Sequence, residues 1–179
     1  MSSVRSKLLP ATAAARLRRA SIVAAVLTTT SLAVAPATAD SLRLSADDPR
    51  WRSECGSCHL PFPPQLMSAA GWRQVMATLD RHYGTDATLD APSAAAIGAF
   101  LDRHAGTGKR AAPPAAPKPG ATGPALPRIT TSPWFAREHR EVPASTLARS
   151  DVGGLANCAA CHVRAEQGDY SERNLRVPR

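Results

Sequence analysis

The 179-residue chain has little with which to build a core: only eight aromatic side chains (three Trp, three Phe, two Tyr), against sixteen prolines. So thin an apolar set implies that something other than side chains helps to fill the interior. A block of basic residues for nucleic acid is also missing. The formal charge of +8 comes from 22 Lys+Arg against 14 Asp+Glu, but Arg5, Lys7, Arg16, Arg18 and Arg19 fall in the first 39 positions, where there is no acid. Residues 40–179 carry only 17 against 14, with no cationic run able to track a phosphate backbone. No alternating strand pattern occurs, and nothing after residue 39 is long and apolar enough to span a bilayer.

What is present begins with an export signal. A basic stretch leads into the apolar run Ala20 to Ala35, whose 16 residues include five Ser/Thr, too short and too polar for an anchor. Ala37-Thr38-Ala39 supplies the small-x-small pattern of a signal-peptidase site, so residues 1–39 read as a cleavable signal peptide cut after Ala39. The mature protein is expected to be exported to the periplasm, without a membrane span.

The chain has four cysteines and uses all of them in two C-x-x-C-H segments, Cys55 to His59 (CGSCH) and Cys158 to His162 (CAACH). This is the attachment pattern of c-type haem. Two thiols add across the two vinyl groups of the porphyrin, and the histidine directly after the second thiol supplies the proximal imidazole. A disulfide framework does not require a histidine after each pair, and a four-cysteine zinc site brings its pairs together over about 15–20 residues rather than about 100. Two covalently bound haem c groups are therefore expected, on Cys55, Cys58, Cys158 and Cys161, with His59 and His162 as iron ligands.

Residues 105–127 hold seven Ala, six Pro and four Gly in 23 positions, and read as a Pro-stiffened connector that buries no apolar surface. It divides an N-terminal haem domain, residues 40–104, from a C-terminal one, residues 128–179. In the first, Ser68 caps a predicted helix running to about Tyr83 and closed by Gly84, with Trp72, Val75, Met76, Leu79, His82 and Tyr83 on one face. A second helix is predicted from Asp90, with Pro92 in its first turn, to just before Gly106, burying Ile97, Phe100, Leu101 and His104. In the C-terminal half, Ser132-Pro133 opens a short helix carrying Trp134, Phe135 and His139, and Cys158 starts another. The fold class is mainly α with extensive coil, as two small domains organised by haem.

The sixth ligand of each iron decides between electron transfer and ligand chemistry. In the second half His139 is the only spare histidine. In the first, His82 and His104 both end apolar stripes and pattern alone does not separate them. Met67 and Met76 are the thioether candidates, Met76 fitting better as core.

Taken together these segments resemble a known family. Glu54 to Pro64 (ECGSCHLPFPP), Gly71-Trp72, His82 to Gly84, Ala87 to Asp90, Arg128 to Thr130, Trp134-Phe135 with His139, Asn157 to His162, Ala165, Gly168 to Tyr170 and Pro178-Arg179 are similar to the small dihaem cytochromes c of bacterial periplasms. Relatives carry Phe at the place of Tyr83, and the Pro/Ala-rich connector is a departure. The resemblance implies a cytochrome-c-like first domain and a second with little regular structure. It also implies bis-histidine, low-spin haems with His82 and His139 in the distal positions, and an electron carrier with no catalytic residues. Partners implied are a membrane-bound cytochrome b as donor and a soluble cytochrome or terminal reductase as acceptor. The alternatives are a peroxidase-like or gas-binding protein with one labile sixth ligand, and an obligate subunit of a larger reductase. Four propionates offset the +3 of residues 40–179, and Arg137, Arg140, Arg149 and Arg164 are the candidate docking cations.

Overall fold

Among the described residues five helices set the frame, four of them started by a capping side chain and the fifth following Pro143 without one. The computed structural model describes residues 42–117, 119–120 and 125–179. The signal segment and its cleavage site lie outside the described residues, as do Lys118 and residues 121–124 of the connector. Helix α1 spans Pro49–Cys55, α2 Ala69–Met76, α3 Ala91–His104, α4 Pro133–Glu138 and α5 Ala144–Leu147. Short 3-10 turns lie between most of them and after α5, and the described residues contain isolated bridges but no β-strand. The chain is mainly helical with much coil, as its sequence implies.

The caps explain where the helices start. Asp48, Ser68, Asp90 and Ser132 each accept a hydrogen bond from the backbone N–H three residues on, satisfying one of the unpaired amides of the first turn. Proline follows early in α1, α3 and α4, where its missing N–H costs nothing. Helix α3 matches its predicted bounds. Helix α2 does not: it stops at Met76 instead of running to Tyr83. The Thr78 hydroxyl donates back to the Gln74 carbonyl (2.8 Å), an alternative to continuing the helix. A 3-10 turn at Leu79–Arg81 follows, and the Ala87 N–H closes the loop onto Leu79 O at 2.8 Å. His82 and Tyr83 thus sit on a loop rather than on the helical face read from the sequence. Helix α1 has no apolar periodicity to announce it; its signal is Asp48 followed by Pro49.

A single apolar cluster draws on both halves of the chain. Trp51, Trp72, Val75, Ile97, Phe100 and Leu101 come from α1 to α3, and Ile129, Trp134 and Phe135 from beyond the connector. The Trp51 and Phe100 rings lie 5.5 Å apart. The Trp72 indole N–H donates to the Pro64 carbonyl at 2.7 Å, so its polar end is satisfied inside the core.

The start of the connector departs from the sequence expectation that it buries nothing. Ala112 is 1% exposed and belongs to the core, its N–H donating to Leu66 O (2.8 Å) and its carbonyl accepting from Ser68 N (2.9 Å). The Gln74 side-chain amide both donates to and accepts from the Ala115 backbone. A proline-rich chain lacks amides for a ladder, but the alanines between supply enough for pinning.

Residues 42–44 run beside 168–170: Leu44 N–H donates to Gly168 O (2.7 Å) and Tyr170 N–H to Leu42 O (2.9 Å). Asp169 fastens the turn that follows. Its carboxylate accepts from the Ser171 hydroxyl and amide and from Asn174, and pairs with Arg43 at 3.2 Å, contacts that hold it below the usual carboxylate range. Gly168 has a positive φ of 72°, and a Cβ there would meet Leu44 Cβ at 2.5 Å. Gly168→Ala is therefore expected to cost about 2 kcal/mol, from left-handed strain plus the clash, read as a lower midpoint in denaturant unfolding of the holoprotein.

Candidate haem sites

Each C-x-x-C-H segment sits at the wall of its own cavity. The first cavity, about 550 Å³, is lined by Cys55, Cys58, His59 and His82, with Trp51, Phe62, Trp72 and Leu101 among its apolar walls. The second, about 190 Å³, is lined by Cys158, Cys161, His162 and His139, with Trp134, Phe135, Val152 and Tyr170. Cys55 ends α1 and Cys158 opens a 3-10 turn, so short helical turns present the thiols. His162 is fixed by its N–H to Cys158 O at 2.8 Å.

All four cysteines are free thiols. Burial, aided by Glu54, pushes the Cys55 thiol up to about 11. Burial likewise pushes Cys158 up to about 11, with Cys161 adding to it. A zinc site needs thiolates, the form that this burial disfavours. The two pairs also face different cavities, which removes the shared four-cysteine site.

The imidazoles come in facing pairs. The His59 and His82 ring centres are 6.2 Å apart with planes 16° from parallel. Those of His139 and His162 are 6.3 Å apart, with planes at 66°. Two imidazoles sharing one metal, with bonds of about 2.0 Å and roughly 1.1 Å from nitrogen to ring centre, stand about 6.2 Å apart. Both pairs have the spacing for one iron between them. The outer nitrogens agree: His59 Nδ1 bonds to Leu60 O (2.8 Å) and His139 Nδ1 to Phe135 O (2.9 Å), leaving Nε2 with a free lone pair. The Nδ1 atoms of His82 and His162 are buried without a hydrogen-bond partner, although the Tyr170 backbone lies close enough to His162 to favour its protonation. Burial first, and the facing histidine second, hold His82 and His162 below the ordinary imidazole value, which favours the neutral ring.

Of the other candidates, Met67 and Met76 line the first cavity, Met67 almost fully buried. His104 lines neither cavity; its ring lies 5.0 Å from Phe100 at the end of α3. Trp51 and Arg128 are wall residues that periodicity did not single out.

Two sequence segments that attach haem, each with a cavity and a metal-spaced imidazole pair, define a narrow class of protein. The profile of the family described as dihaem cytochrome c matches residues 51–170. This chain belongs to the dihaem cytochrome c family. Its two cysteine pairs carry two covalently bound haem c groups, and the family is one of haem electron-transfer proteins. A solved diheme cytochrome c from Rhodobacter sphaeroides is 37% identical over 71% of this chain and 98% of that one, with a TM-score of 0.56. Another structure of the Rhodobacter sphaeroides protein gives 36% identity, 69% and 96% coverage and 0.54. A diheme cytochrome type c from Shewanella baltica OS155 is 31% identical over 73% of this chain and 92% of that chain, at 0.59. No curated protein matches the chain.

Proposed function

We propose that this dihaem cytochrome c is a periplasmic electron carrier whose two irons are each held between two histidines: His59 and His82 at the first, His162 and His139 at the second. The attachment cysteines and both histidines of the first haem lie within residues 40–104 and those of the second within 128–179, while each cavity also takes wall residues from the other half. The observation that carries this is the pair of imidazole separations, 6.2 and 6.3 Å. When bound, haem supplies reversible one-electron oxidation and reduction of its iron. The chain's part would be to hold each iron between two of its own histidines, which would leave no ligand place for a substrate. His139 is the more firmly placed of the distal pair, stacked on Phe135 with ring centres 3.8 Å apart and planes 10° from parallel. Imidazole in the sixth position sets lower potentials than thioether, on the reducing side of His/Met cytochromes c.

Export by the N-terminal signal would put the carrier in the periplasm, and the family resemblance supports a membrane-bound cytochrome b as its donor and a soluble cytochrome or terminal reductase as its acceptor. No helix among the described residues is long and apolar enough to cross a membrane. Of the candidate docking cations, Arg137, Arg140 and Arg149 are paired with Glu138 (2.9 Å), Glu141 (3.7 Å) and Asp151 (2.8 Å), so their charge is largely cancelled in place.

Electron paramagnetic resonance of the oxidised holoprotein tests the assignment. Two low-spin signals of unlike shape are expected. Imidazole planes near parallel split the iron π orbitals and give a rhombic signal; planes near perpendicular leave those orbitals close in energy and give a larger, more anisotropic leading g value. The first belongs to the 16° pair and the second to the 66° pair. A high-spin signal in the unmodified protein, or an optical change with carbon monoxide, refutes the bis-histidine carrier and favours a gas-binding protein.

A further inference from the structure

The walls of the two cavities differ in charge. Among the described residues the first has a single Lys/Arg side chain, Arg128, with Glu54 and Asp86 as its carboxylates. The second has Glu138 and Glu172 and, among the described residues, no Lys or Arg. Arg128 is also held in an unusual way. Its guanidinium carbon lies 4.4 Å from the centre of the Tyr83 ring, and the Tyr83 hydroxyl donates to the carbonyl of Pro127, the residue before it. The ring that carries the cation is thus itself tied to the backbone just before Arg128, next to the loop that carries His82. Arg128 takes part in none of the ion pairs of the described residues. The Asp86 carboxylate is occupied locally by the Thr88 hydroxyl and amide. A guanidinium with one face on an aromatic ring keeps its edge N–H donors for a planar acceptor, and a carboxylate fits that edge bidentately.

We propose that Arg128, held on the Tyr83 ring, is the binding partner of a propionate of the first haem and makes that haem the one with the higher reduction potential. The proposal rests on the reading of the two cavities as bis-histidine haem sites. Reduction lowers the net charge of the iron centre by one, so a fixed cation beside it favours the reduced form, and a fixed anion the oxidised form. Glu54 and Asp86 act against Arg128 at the first cavity, but both are exposed, so solvent weakens their field. At the second cavity Glu138 is partly offset by Arg137, whereas Glu172 stands in no ion pair of the described residues.

The test is a redox titration of the full-length holoprotein followed by both optical and electron paramagnetic resonance spectra. In the unmodified protein the rhombic signal of the near-parallel pair is expected to titrate at the higher potential. Arg128→Gln is expected to lower that midpoint by about threefold in the reduced-to-oxidised ratio, about 30 mV for one electron, and to leave the other midpoint in place. Arg128→Lys, which keeps the charge, is expected to restore most of the shift. A rhombic signal at the lower potential overturns the proposal, and so does an Arg128→Gln shift that is absent or equal at both haems. If the oxidised protein lacks two low-spin signals, the ligand assignment has failed rather than Arg128. The optical midpoints then decide alone: a shift confined to one step supports the role of Arg128, and its absence removes it.

Discussion

Replacing His139 by Ala is expected to turn one of two low-spin irons high-spin and to let carbon monoxide bind there. His82→Ala is expected to do the same at the other iron, and His104→Ala to leave both unchanged. His139 is the only histidine besides His162 in residues 128–179, and its ring is held by Phe135 through both stacking and the Nδ1 bond to the Phe135 carbonyl. Removing it leaves a position that water fills. His82 is set by different means, on the loop closed between Leu79 and Ala87 and edge-on to Tyr83 at 4.8 Å. Two methionines line the same cavity, so His82→Ala has a second measurable outcome. A low-spin spectrum with a thioether–iron charge-transfer band would show that Met67 or Met76 moves in. High-spin iron in His104→Ala instead would take the distal role from His82, since His104 lies against Phe100 and on neither cavity wall.

The choice between His82 and His104 shows where sequence reasoning reaches its limit. Both end an apolar stripe, and a 3.6-residue period extended through Thr78 puts His82 on a helical face. The helix ends at Met76 because the Thr78 hydroxyl captures the Gln74 carbonyl, a local competition that periodicity does not register. The loop that results, with Tyr83 at a positive φ of 52°, turns His82 to face His59. The family resemblance selects His82, the histidine whose ring faces His59; the stripe reaches the same residue for a reason the structure replaces. Caps fared better, because a capping hydrogen bond spans three residues: Ser68, Asp90 and Ser132 start α2, α3 and α4 as predicted. The buried Ala112 was not legible, since its burial depends on Leu66 and Ser68, more than forty residues back. The attachment segments were legible because covalent chemistry fixes residue type and spacing within five consecutive positions.

Removing the thiols has the largest expected effect of all, and an unequal one. Cys55→Ala with Cys58→Ala, and Cys158→Ala with Cys161→Ala, should each leave a protein with one covalent haem in a pyridine haemochrome assay. Two haems in either double variant would refute the attachment sites. The consequences for the fold differ because the cavities do. The first is about 550 Å³ and is walled by Trp51, Met67, Trp72, Val75 and Leu101, all members of the common core. At about 24 cal/mol per Å³, leaving it empty costs up to about 13 kcal/mol, comparable to the whole stability of a domain. The second, about 190 Å³, costs up to about 5 kcal/mol by the same measure. These are upper bounds, since walls open to solvent can close in. Their ratio nevertheless decides the outcome. The variant lacking Cys158 and Cys161 should be recovered with a folded first half, its remaining iron still low-spin between His59 and His82. The variant lacking Cys55 and Cys58 should accumulate poorly and lose helical circular dichroism, because α1 to α3 pack around the space it leaves empty. Equal recovery of the two, with equal helicity, would mean that the α1–α3 core stands without its haem.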